Sequence, residues 1–256
     1  MERKIELKLI DNQVTSAVLA EPERPTPVAV LLCHGFMSSK ESGTNRTLTG
    51  QLLSKGIALC RFDFFGHGES DGPFEKLTLT GCLAQTEGMI GWLRGNGYSR
   101  IGLVGSSFGG LVAIQTAAAH PDLFALALKC PVSNYPPIWR ERLGEAGMAH
   151  WKESGLLSFA TPQGKARLEY AFYEDLLQYN TYGAAARIQS PTLIVHGEAD
   201  EDVSFDQSLR LFDTLRLPNH QREIAPIPGA DHEFSKPDDF KRMTDLIEGW
   251  ILDHTR

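Results

Sequence analysis

Residues 4–10 and 13–20 alternate apolar and polar side chains on either side of Asp11-Asn12. A period of two buries one face of each segment, and the short polar break between them predicts an antiparallel hairpin. The pattern then changes. Val28–Cys33, Ile57–Phe62, Ile101–Val104, Ala125–Lys129 and Thr192–His196 are short, nearly continuous apolar runs, as expected of strands covered on both faces in a parallel sheet. Helical spacing lies between and after them. Leu79, Leu83, Ile90 and Leu93 share one face, as do Phe240, Met243, Ile247 and Ile251. Strand and helix in alternation predict an α/β fold with helices on both faces of the sheet and the hairpin at its antiparallel edge. No internal repeat or low-complexity linker interrupts residues 1–256, so one domain is expected.

Residues 131–190 break this rhythm, separating two strand runs by far more than one helix needs. Helix-like stretches lie around Ile138–Trp151 and Lys165–Tyr179, and the segment holds five of the six tyrosines together with Trp139 and Trp151. An aromatic-rich insertion between core strands predicts a helical cap or lid over a pocket; the plainer alternative is an additional packing layer.

Composition narrows the function classes. At 42% hydrophobic and 22% charged residues the chain has the balance of a globular protein with ample core. Its net charge of -7 repels phosphate backbones, which argues against a nucleic-acid partner. Cys33, Cys60, Cys82 and Cys130 form no C-x-x-C pair, so neither metal nor thioredoxin chemistry is supported. Buried reduced thiols are expected, which fits a reducing compartment. Met1-Glu2-Arg3-Lys4 leads straight into a strand-like stretch without an apolar leader. No run reaches the roughly 18 apolar residues of a membrane span. A cytoplasmic protein is therefore expected, with a homodimer as one assembly open to it.

The chemistry concentrates at strand ends. Gly105-Ser106-Ser107-Phe108-Gly109 fits G-x-S-x-G, follows the strand run Ile101–Val104 and leads into a helix-like stretch from Gly110. That context is what a nucleophile elbow requires: a sharp turn presents Ser107 at the strand's C-terminal end, beside a helix N-terminus. A serine hydroxyl needs a base. Of the eight histidines, His232 is best placed, in the loop Pro228–Phe234 after the strand-like Arg222–Ile227. His120, His150, His220 and His254 lack a strand end beside them. A third group must orient the base, and the loop after Thr192–His196 offers Glu198, Asp200, Glu201 and Asp202. Ser204 with Gln207 resembles a capping box that starts the next helix. Two backbone donors complete an oxyanion hole: Phe108, which follows Ser107, and Phe36 in the loop His34-Gly35-Phe36-Met37. On this reading His34 is structural. Gly66–Gly72 lacks the spacing of a phosphate loop and reads as a tight structural loop near the site.

Taken together, His34-Gly35-Phe36, the stretch Arg61–Ser70, Gly105–Gly109, His196-Gly197-Glu198-Ala199-Asp200 and Gly229–His232 resemble the α/β-hydrolase superfamily over nearly the whole chain. The resemblance implies the α/β-hydrolase fold, and its H-G-x-x-D stretch selects Asp200 as the acid of a Ser107–Asp200–His232 triad. Within the superfamily the chain is most similar to bacterial cinnamoyl and feruloyl esterases, with serine aminopeptidase-like and monoacylglycerol lipase-like hydrolases as relatives. The implied function is a serine carboxylesterase, acting through an acyl-enzyme on a small to medium apolar or aromatic acyl ester, with no cofactor or metal. A thioesterase or small peptidase using the same triad is the first alternative. A non-catalytic binding protein on the same scaffold is the second.

Overall fold

The computed structural model describes residues 1–10, 12–161 and 164–255. Two strands, β1 (Glu2–Ile10) and β2 (Gln13–Ala20), form the expected antiparallel hairpin, with Ile5 opposite Ala17. Asp11, placed in its turn by the sequence, lies outside the described residues. Six further strands complete one sheet: β3 (Val28–Cys33), β4 (Ala58–Phe62), β5 (Arg100–Ser106), β6 (Ala125–Lys129), β9 (Thr192–Gly197) and β10 (Arg222–Ile227). The order is β1-β2-β4-β3-β5-β6-β9-β10. From β4 to β10 all neighbours are parallel, while β2 pairs antiparallel with both β1 and β4. The mostly parallel sheet is covered on both sides, which is why β4, β6 and β9 read as unbroken apolar runs.

The helices divide between the two faces. On one lie α1 (Gly43–Leu53) and α8 (Pro237–His254), closing a core that includes Leu48, Leu52, Val104, Ala127, Met243 and Ile247. On the other lie α2 (Leu79–Gly95), α3 (Phe108–Ala119) and α7 (Phe205–Thr214). Most of α3 is buried, which explains its sequence, apolar on every side. Ser204 caps α7 as expected, its Oγ accepting from Asp206 N. The capping box is not completed. Gln207 instead turns its amide toward residues 133–134, where its Oε1 accepts from Ser133 N at 2.9 Å and Asn134 N at 2.8 Å. The residue that would have closed a local cap thus ties down the start of the long insertion.

That insertion contains α4 (Tyr135–Ser154), broken at Gly144, then β7 (Leu156–Thr161), β8 (Gly164–Glu169), α5 (Tyr170–Leu176) and α6 (Thr181–Ala185). The expectation of a purely helical insertion is corrected here. Lys165–Glu169 is a strand of a second, two-stranded antiparallel sheet, and the helix begins only at Tyr170. Lys, Ala, Arg, Leu and Glu are good helix formers. Their burial nevertheless alternates, with Leu168 buried between exposed Arg167 and half-buried Glu169, and Trp151 Nε1 donates to Leu168 O at 3.0 Å. Tertiary packing onto Trp151 overrides propensity.

Candidate active site

At the end of β5 the chain turns sharply through Ser107, whose φ of 53° and ψ of -116° are a strained conformation for a residue with a Cβ. Several bonds hold it there. Ser107 N donates to Lys129 O at 2.9 Å, and Ser107 O accepts from Gly110 N at 2.9 Å and Val132 N at 3.0 Å. The flanking glycines are needed for close approach. A Cβ on Gly105 would lie 2.4 Å from Gly109 O, and one on Gly109 would lie 2.3 Å from Cys33 O. Strand β5, helix α3 and the end of β3 are therefore packed backbone to backbone around this turn.

His232 follows β10 and lines the same cavity as Ser107. Its Nδ1 lies 2.6 Å from Asp200 Oδ2, so with a carboxylate opposite it Nδ1 carries the proton and donates. Spacing alone left four acidic residues open and the family resemblance chose Asp200; the four differ plainly in the structure. Asp200 turns inward, its side chain wholly buried, while Asp202 turns outward to pair with Arg142 at 2.7 Å and Glu198 and Glu201 are exposed. Asp200 Oδ1 also accepts from Asp202 N and Val203 N. Burial raises the Asp200 carboxyl, but the bonds from His196 and His232 and that from Val203 N–H outweigh it and hold the group well below the usual carboxylate range.

Gly35 and Phe36 line the same cavity from the loop after β3. This loop is fixed by two neutral histidines. His34 Nε2 accepts from Phe64 N at 3.0 Å while its Nδ1–H donates to Gly35 O at 2.8 Å. His67 Nε2 accepts from Met37 N, and its Nδ1–H donates to Phe65 O. Burial depresses the basicity of both rings, which keeps their Nε2 atoms free to accept. Among the described residues, neither Phe36 N–H nor Phe108 N–H donates to a protein acceptor. The Phe36 ring turns the other way, into a cluster with Phe74, Phe108, Tyr135, Trp139, Phe159 and Phe172, at centroid distances of 5.3 to 6.3 Å.

Three further residues were passed over in the sequence. His196 is wholly buried behind the acid, with Nε2 at 3.1 Å from Asp200 Oδ2 and Nδ1 at 2.6 Å from Ser208 Oγ. Lys129 ends β6 and lines the cavity; its one visible signal was a lysine closing the otherwise apolar run Ala125–Leu128. Cys130 brings its Sγ within 4.8 Å of the Asp200 and His232 ligand atoms. This is the one group among the described residues that could be considered for a metal. Burial pushes the Cys130 thiol up, away from the thiolate that metals bind, and His232 Nδ1 is already committed to Asp200.

A family model described as Peptidase_S9, the prolyl oligopeptidase family, matches residues 90–256. A mouse relative named palmitoyl-protein thioesterase ABHD10, mitochondrial, is 27% identical over 87% of this chain and 74% of its own. Among solved structures, Est1E from Butyrivibrio proteoclasticus with ferulic acid bound superposes with a TM-score of 0.85 at 23% identity, covering 98% of this chain and 99% of that one. Mouse alpha/beta hydrolase domain-containing protein 10 gives 0.82 at 20% identity, covering 98% and 99%. No helix among the described residues is long and apolar enough to cross a membrane. The sheet order and these matches agree: the chain belongs to the prolyl oligopeptidase family, and it is a serine hydrolase built on the α/β-hydrolase fold.

Proposed function

We propose that this protein hydrolyses carboxylic esters by two-step acyl transfer, with Ser107 as nucleophile, His232 as general base and Asp200 as the acid that orients it. The reading rests on one observation: Ser107 and His232 line one cavity, while Asp200 holds His232 Nδ1 from behind. In that tautomer Nε2 is free to take the serine proton as Oγ attacks the carbonyl. The amides of Phe36 and Phe108 hold the oxyanion, the alcohol leaves with the proton from His232, and water activated by the same ring releases the acid. Residues 131–190 act as a cap, closing the cavity with Tyr135 and Ile138. The cavity encloses about 170 Å³, below the roughly 300–1,000 Å³ of pockets for drug-sized ligands. A short or single-ring acyl group, as in cinnamoyl or feruloyl esters, suits that size. Four free, buried cysteines favour a reducing compartment such as the cytoplasm.

A thioester substrate is the second reading, supported by the relative named as a palmitoyl-protein thioesterase. The test uses methyl ferulate, p-nitrophenyl esters from acetate to decanoate, and matched acyl thioesters and aminoacyl anilides. Wild type is expected to turn over short or aromatic esters fastest, and Ser107→Ala to lose about 10⁴-fold or more in kcat. Activity that survives Ser107→Ala refutes the assignment. Faster turnover of thioesters or anilides transfers it to those classes.

A further inference from the structure

The cavity beside Ser107 is lined by apolar Phe36, Val132, Tyr135 and Ile138, by Ser38, Ser42, Thr44 and Ser106, and by the charged residues Lys129, Arg142, Asp202 and Glu233. Lys129 stands opposite Ser106 in the β5–β6 register, and its carbonyl accepts from Ser107 N, so this lysine leaves the sheet next to the elbow. Its side chain is only 4% exposed. An ammonium so deeply placed is costly unless an anion faces it. Lys129 forms a long ion pair with Glu233 at 3.6 Å, beyond hydrogen-bond distance, and Glu233 is itself 77% exposed to water. The ammonium also lies 5.5 Å from the Phe234 ring centroid. Among the described residues, none of its three N–H donors has a hydrogen-bond acceptor.

A second feature converges on the same niche. Helix α1 begins there, with Ser42 as its cap and no acidic residue in its first turn. Ser42 Oγ accepts from Asn45 N, and among the described residues the Gly43 and Thr44 N–H groups have no acceptor. A helix N-terminus carries partial positive charge and unpaired donors. In a chain of net charge -7, buried Lys129, Ser42 and Thr44 at the start of α1, and further hydroxyl residues thus border one small cavity, with Asp202 and Glu233 on its lining as well.

We infer that this niche is a carboxylate subsite, so that the substrate is an ester bearing a free carboxylate a few bonds from the scissile carbonyl. The inference rests on the ester-hydrolase reading above and adds the substrate class to it. Lys129 pairs with the carboxylate, the Thr44 N–H at the start of α1 donates to its second oxygen, and the ester carbonyl is thereby carried to Ser107. Burying the pair in a low-dielectric niche makes recognition selective against the neutral ester, which would leave Lys129 with only the exposed Glu233 and no hydrogen-bond acceptor.

The test compares monomethyl succinate with methyl butyrate, two esters of similar size that differ by the carboxylate, followed by acid release. Wild type is expected to show a kcat/KM at least tenfold higher for the monoanion, mostly through KM. Lys129→Met is expected to bring that ratio close to one, and Lys129→Arg to restore most of it. Calorimetric titration of Ser107→Ala with monomethyl and dimethyl succinate reads the subsite without turnover and without altering Lys129; tenfold tighter binding of the monoanion is expected. A wild-type ratio of one, or equal or absent binding of the two succinates by Ser107→Ala, overturns the subsite while leaving ester hydrolysis intact. Turnover that persists in Ser107→Ala overturns the ester-hydrolase reading instead, and the titration then decides the subsite alone.

Discussion

Asp200 is surrounded by donors. Val203 N and Asp202 N serve one oxygen, while His232 Nδ1 and His196 Nε2 approach the other. The His196 tautomer follows from its neighbours: Nε2 faces only acceptors, Asp200 Oδ2 and Val203 O at 2.9 Å, so it carries the hydrogen, and Nδ1 accepts from the Ser208 hydroxyl. The acid is therefore held in one orientation from both sides. Asp200→Asn is expected to lower kcat by about 10³–10⁴-fold, because the amide can present its N–H to His232 and favour the wrong tautomer. The depressed carboxyl also has a signature in stability. A carboxylate whose folded pKa lies below its unfolded value stabilises the fold above about pH 4 and loses that contribution as pH falls toward the folded value. Thermal unfolding of wild type and Asp200→Asn should show a gap in Tm that is constant from pH 7 to pH 5 and narrows only below about pH 4. A gap that already closes near pH 6 would mean that Asp200 is not held in its charged form. Spacing could place an acid in this loop, and only the H-G-x-x-D resemblance chose Asp200 over Asp202, two residues apart. What differs between them is burial, set by the turn after Gly197, and charge pattern carries no record of it.

Between elements, the loops after β3 and β4 are pinned by a buried ion pair. Lys40 Nζ lies 2.5 Å from Asp63 Oδ2, and their side chains are 3% and 0% exposed. Asp63 also accepts from the backbone N–H groups of Lys40 and Glu69. Burial works against the Lys40 charge, but the bonds to Asp63 and Glu69 prevail and hold its basicity above the ordinary lysine value. Removing one partner strands the other charge in the interior. Lys40→Met is therefore expected to cost about 3–5 kcal/mol in denaturant unfolding. The double variant Lys40→Met with Asp63→Asn should recover part of that loss, since neither charge then remains. A single variant no less stable than wild type would remove the pin. The reading of Gly66–Gly72 as a structural loop was available from its missing phosphate-loop spacing. Its attachment through Asp63 to the loop that carries Phe36 was not, because Lys40 and Asp63 are 23 residues apart and each looks like an ordinary surface charge. The misread strand Gly164–Glu169 has the same cause: a short segment takes its form from the partner strand and from Trp151, not from its own propensity.

For the molecule as a whole, the sheet was legible because strands covered on both faces leave uninterrupted apolar runs, and the elbow because a serine flanked by glycines followed such a run. How the insertion sits on the core was not legible, since aromatic content says that a segment is buried without saying against what. The structure places one side chain at that junction. Phe36 belongs to the loop after β3, and its ring meets Tyr135 and Trp139 of α4, Phe159 of β7 and Phe172 of α5, together with core Phe108. The backbone of this residue is assigned to the oxyanion and its side chain holds the insertion in place, so the two roles can be separated by substitution. Phe36→Ala keeps the amide donor while removing the ring. Truncation of a core phenylalanine costs about 3–5 kcal/mol, and for this half-buried ring the lower end, about 3 kcal/mol, is expected in denaturant unfolding. Loosening the loop should misplace the donor slightly, lowering kcat by about 10–100-fold, far less than Ser107→Ala. Tryptic cleavage at Lys152, Lys165 or Arg167, all on the exposed side of the insertion, should accelerate in the variant, because cleavage follows the population of the opened form. If stability and proteolysis match wild type, the insertion is held by contacts among its own rings. If stability falls but cleavage in the insertion does not rise, core and insertion unfold together as one unit.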